Sequence, residues 1–114
     1  MEIWHNPRCS KSRQTLALLE AAGVTPTVRR YLEDPPAAAQ IGTVLTALGV
    51  EPWDLVRMGE DEAKTLGLKD WPRDRERWIA AMAANPRLIE RPVVIADDGR
   101  AVIGRPPENV QGLL

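Results

Sequence analysis

The 114-residue sequence holds only one cysteine, one histidine and one tyrosine. One cysteine excludes any internal disulfide, and one histidine excludes the paired-histidine metal motifs, so no metal site is expected. An excess of either charge is also lacking. Fifteen Lys+Arg stand against 16 Asp+Glu, a net charge of -1, which gives no basic surface for nucleic acid or an anionic membrane. No run approaches the ~20 apolar residues of a bilayer span. The opening MEIWHNPRCSKSR has neither the positive start nor the apolar stretch of a secretory signal. The expected location is therefore a reducing cytoplasm, where Cys9 stays a thiol. Neither the G-x-x-x-x-G-K phosphate loop, nor G-x-G-x-x-G, nor a D-x-D-x-D-G calcium loop occurs.

What is present suits one globular domain over residues 1–114, with 44% hydrophobic and 27% charged residues and no repeat or linker. Twelve of the fifteen basic residues are arginine. The pattern predicts a strand over 2–5 and a helix with Leu16, Leu19 and Ala22 on one face and Gly23 as its stop. A second strand is predicted over 25–32. This is the length of a right-handed βαβ unit. After Pro35-Pro36, a helix over 37–48 carries Ile41, Val44, Leu45 and Leu48 at helical spacing. Short helical turns at 52–57 and 60–66 follow, then a helix over 73–84. PVVIA, Asp97-Asp98-Gly99 and 101–103 predict a β-hairpin, and Pro106-Pro107 opens a last short helix. A βαβ unit, a helical insert at about 37–85 and a ββα end predict an α/β chain. Its four-stranded mixed sheet would carry helices on both faces, as in thioredoxin-like folds.

Cys9 lies where a strand gives way to a helix, so free amides and the positive end of the helix dipole would favour its thiolate. His5, Arg8, Lys11 and Arg13 are its neighbours, and nearby cations lower a thiol pKa. A cysteine phosphatase needs an arginine six residues after its nucleophile, and position 15 is Thr. A two-thiol redox site needs C-x-x-C, and position 12 is Ser. A covalent or oxidised intermediate at Cys9 must then be released by a thiol from another molecule. Arg91-Pro92, Arg105-Pro106 and Arg57 are candidate anion ligands, because a guanidinium binds tetrahedral oxyanions through several donors at once. The run 73–77 reads as a solvated helix face with local ion pairs, and the four tryptophans read as core and interface fillers.

The segments His5-Asn6-Pro7-Arg8-Cys9-Ser10-Lys11-Ser12-Arg13, Tyr31-Leu32-Glu33, Glu90-Arg91-Pro92 and Gly104-Arg105-Pro106-Pro107-Glu108 resemble the glutaredoxin-linked arsenate reductase family over essentially the whole chain. The Ser-Lys after Cys9 and the early end at Leu114 resemble its shorter, reductase-like branch. The resemblance implies a thioredoxin-like fold and a cysteine thiolate that forms an adduct with arsenate. Glutathione, a co-substrate rather than a bound cofactor, would attack that adduct, and glutaredoxin would complete the reduction. It implies Cys9 as nucleophile, Arg57, Arg91 and Arg105 as oxyanion ligands, and His5 and Ser12 as neighbours tuning the thiolate. A monomer is the plain expectation. Two alternatives stay open: a glutathione-dependent thiol oxidoreductase with another substrate, and a non-enzymatic RNA polymerase-binding regulator of the same fold.

Overall fold

A computed structural model describes all residues, Met1–Leu114. Four strands form one sheet: β1 (Glu2–Trp4), β2 (Thr27–Arg29), β3 (Val93–Ile95) and β4 (Ala101–Ile103), in the order β2-β1-β3-β4. β1 pairs β2 in parallel and β3 antiparallel, and β4 pairs β3 antiparallel. This is the mixed sheet the sequence predicts, and the fold is thioredoxin-like. The chain forms two compact units, Met1–Asp34 with Arg91–Leu114, and Pro35–Glu90.

In the sheet unit, α1 (Ser10–Ala21) crosses from β1 to β2 and packs on a 3-10 helix at Pro107–Leu113. Ile3, Leu19, Val94, Ala96, Val110 and Leu113 close the core on this side of the sheet. Burying such side chains is the main favourable contribution, about 25 cal/mol per Å² of apolar area. The buried stripe of α1 is Ser12, Thr15 and Leu19, not the Leu16–Leu19–Ala22 face that hydrophobicity suggests. Leu16 is half-buried and Ala22 exposed. Helical spacing is kept, but the stripe turns polar towards the helix start, so a pattern of apolar residues alone misplaces it.

β2 is shorter than expected. Pro26 lacks an N–H for the ladder, and beyond Arg29 the chain turns, with the Glu33 and Asp34 amides donating to the Arg30 carbonyl at 3.0 and 2.9 Å. Tyr31 is buried from that turn rather than from a strand.

The second unit is helical: α2 (Ala38–Leu48), α3 (Pro52–Leu55), α4 (Asp61–Leu66) and α5 (Arg75–Ala84), with 3-10 turns at Leu68–Asp70 and Pro86–Leu88. Gly49 ends α2 in the left-handed conformation (φ 69°), where a side chain would be strained. α5 starts two residues later than predicted, because Asp74 caps it by accepting from the Arg77 amide at 3.5 Å. Trp78 is buried against the edges of Trp53 and Trp71, both at 6.0 Å between centroids. Arg73 lies 4.9 Å over Trp53 and Arg77 4.0 Å over Trp71. The expected face of ion pairs is therefore largely a cation–π layer, in which only Arg75 bonds a carboxylate, Glu51 at 3.7 Å.

Candidate active site

Asn6-Pro7 ends β1 and folds the chain back. The Arg8 amide donates to Asn6 Oδ1 at 3.0 Å and the Cys9 amide to the Asn6 carbonyl at 3.0 Å. This turn sets Cys9 at the N-cap of α1, with extended backbone (φ -94°, ψ 121°) and a carbonyl that accepts from the Arg13 amide. Cys9 is 7% exposed, shielded from bulk solvent.

Burial pushes the Cys9 thiol up, but the opposing groups win and hold it below its ordinary value. First among these is the Ser12 amide, followed by the hydrogen bond and charge of Arg91 and by the Lys11 amide. The neutral thiol makes no cap hydrogen bond of standard geometry, as expected of a weak acceptor; the amides act on the charged sulfur. The flanking basic side chains that the sequence offers for this task are not the main agents. Arg13 donates to the Pro7 carbonyl at 2.9 Å, and Lys11 contributes through its backbone.

The arginines arrive from the β3–β4 hairpin. Because the two strands are antiparallel, the residues just before β3 and just after β4 lie side by side at its open end. Arg91-Pro92 and Arg105-Pro106 are both cis peptide bonds. The Gly104 amide donates to the Pro92 carbonyl at 2.8 Å and Arg105 Nε to the Arg91 carbonyl at 3.1 Å. Arg105 Nη2 stands 3.8 Å from Cys9 Sγ. Asn109, which carries no recognisable sequence signal, braces this loop by donating to the Ile103 and Arg105 carbonyls at 3.1 and 3.0 Å.

His5 Nδ1 and Ser12 Oγ share a hydrogen bond of 2.7 Å, and the Asn6 amide donates to the same oxygen at 3.0 Å. Desolvation, then the charges of Arg30 and Arg13, hold His5 below its ordinary pKa. The buried ring is therefore neutral at pH 7. A folded state that resists a proton which the unfolded chain accepts loses stability on acidification below about pH 6.5, and this contribution is flat above it. Urea unfolding at pH 5.5 and 7.5 should show that loss in the wild type and a smaller one in His5→Asn. Equal losses in both proteins would remove His5 as its cause.

Arg57 belongs to the helical unit. Its Nε meets Glu60 at 3.1 Å and its Nη1 meets Glu90 at 2.7 Å. No group of three or more His, Cys, Asp or Glu side chains is arranged to hold a metal ion, and no helix is long and apolar enough to cross a membrane. Cys9, Arg91 and Arg105 thus come together as a low-pKa sulfur facing two permanent cations, suited to attack on an anionic electrophile.

The model of the ArsC family matches residues 4–113. An arsenate reductase from Neisseria meningitidis is 40% identical, with 100% of this chain and 97% of that protein covered. An uncharacterized protein of the glnII region of Streptomyces viridochromogenes is 55% identical, with 100% and 98% covered. Among solved structures, an arsenate reductase from Vibrio cholerae superposes with a TM-score of 0.94 at 45% identity, covering 99% of this chain and 96% of that one.

Proposed function

As the chain belongs to the ArsC family, we propose that it reduces arsenate to arsenite through an adduct on Cys9, with glutathione and glutaredoxin supplying the electrons. The observation that carries this reading is the contact of one shielded, low-pKa sulfur with guanidinium groups from both Arg-Pro turns.

In this scheme the Cys9 thiolate attacks As(V), an oxygen leaves as water, and a sulfur–arsenic bond forms. Arg91 and Arg105 hold the equatorial oxygens and offset the charge that a thiolate and an oxyanion bring together. Arg57 is the third proposed ligand; Glu60 and Glu90 orient its fork while offsetting part of its charge. The chain has no second thiol, so an external thiol must attack the adduct. Two thiols give up two electrons in becoming a disulfide, As(V) becomes As(III), and one water is released per arsenate. His5 and Ser12 keep the thiolate's surroundings in place, Ser12 through its amide. The enzyme would work as a cytoplasmic monomer.

A coupled assay tests this. NADPH consumption with glutathione reductase, glutathione and glutaredoxin should depend on arsenate and stop when either glutathione or glutaredoxin is omitted. Absence of arsenate-dependent consumption by the folded protein overturns the substrate, and persistence without glutaredoxin overturns the electron route.

A further inference from the structure

The reactive sulfur belongs to α1, whereas Arg91 and Arg105 belong to the hairpin, so something must fix the spacing between helix and hairpin. Thr15 and Gly104 meet at that seam. Thr15 is fully buried on α1, and its hydroxyl lies 2.8 Å from the Lys11 carbonyl and 3.3 Å from the Gly104 carbonyl. A Cβ on Gly104 would stand 2.5 Å from Thr15 Oγ1, 2.9 Å from Thr15 Cγ2 and 2.8 Å from Pro92 Cγ. The other seven glycines would place a Cβ in open space. The requirement at Gly104 is one of room rather than of backbone angle, since its φ is not positive. A buried β-branched side chain and a closed pyrrolidine ring have no free end to swing aside.

We propose that Gly104 and Thr15 are positioning residues, whose close contact sets the distance between the Cys9-bearing start of α1 and the hairpin end that carries Arg91 and Arg105. The proposal rests on Cys9 being the reacting group, as the proposed function has it. Gly104 is covalently next to Arg105 and hydrogen-bonded to Pro92. A methyl group inserted there must open the seam by about 1 Å to reach ordinary van der Waals separation. Both guanidinium groups then recede from the sulfur, and their influence falls with distance.

The experiment needs no arsenate: the pH dependence of Cys9 alkylation by iodoacetamide, with circular dichroism to confirm folding. Gly104→Ala should move the alkylation midpoint up by about one pH unit, making alkylation about tenfold slower at any pH below the wild-type midpoint. In a Thr15→Ala background, where both Thr15 atoms that the new methyl meets are gone, the same substitution should shift the midpoint by less than half as much. An unchanged midpoint in folded Gly104→Ala, or an equal shift in both backgrounds, overturns the clamp. Should Gly104→Ala not fold, Thr15→Ala decides the matter, since it removes both Thr15 atoms that make the contact. A moved midpoint supports the clamp and a wild-type midpoint refutes it. The proposed substrate can fail in the coupled assay while the clamp still shows in the alkylation data, so the two failures are distinguishable.

Discussion

Cys9→Ser is expected to lower arsenate-dependent NADPH consumption by at least ~10³-fold, equivalent to about 4 kcal/mol at the barrier, without loss of stability. The two parts have different causes. The amides of Ser12 and Lys11 and the Arg91 guanidinium favour a negative sulfur, but a serine hydroxyl is far too weak an acid for the same groups to ionise it at neutral pH. Stability goes the other way. Cys9 is the N-cap of a 12-residue helix and makes no side-chain cap bond of standard geometry. Serine is among the best N-cap residues, and a gain of up to about 1 kcal/mol is within the range of such caps. The coupled assay, paired with urea unfolding, reads both. Activity within tenfold of wild type would refute Cys9 as nucleophile, and a marked loss of stability would refute the cap argument.

Arg91→Ala is expected to lower kcat/KM for arsenate by about 10²–10³-fold, or ~3–4 kcal/mol, and to raise the alkylation midpoint of Cys9. Burial already opposes the thiolate, and Arg91 supplies both a hydrogen bond and a charge against that burial. Its removal therefore weakens the nucleophile and takes away an oxyanion ligand in one step. Arg91→Lys separates the two. A lysine keeps the charge and should restore most of the alkylation midpoint, yet it lacks the planar fork and should leave KM for arsenate high. If Arg91→Ala retained wild-type kcat/KM and an unmoved midpoint, the role assigned to Arg91 would be wrong in both respects.

The element order and the place of Cys9 at the start of α1 were legible in the sequence because each left a local mark. Asn6-Pro7 breaks the first strand, Asp98-Gly99 turns the hairpin, and Gly49 ends α2 in the conformation only glycine adopts without strain. The sequence pointed to the amides at the helix start, and the Ser12 amide leads; what it could not show was which side-chain cation joins them. Arg8, Lys11 and Arg13 adjoin Cys9 in the chain, but the guanidinium that acts on it comes from Arg91, brought in by strand pairing. Thr15 was equally hidden. A threonine on a helix is unremarkable until its neighbour proves to be a glycine 89 positions away. The arginine run at 73–77 was misread because ion pairing is a local pattern on one helix, whereas Arg73 lies over Trp53, on another part of the unit.

The leading stabiliser of the thiolate is a peptide N–H, that of Ser12. Every amino acid but proline carries that group, so most single-codon changes at this position leave it in place. The arginines enjoy no such protection, since one base change can remove a guanidinium. Descent with modification therefore acts unequally on the two halves of the site. The amide share of the sulfur's stabilisation is inherited almost for free with the helix, while the arginine share is exposed to drift and selection. Lineages built on this architecture should vary the arginines beside the sulfur long before they lose the amides that face it.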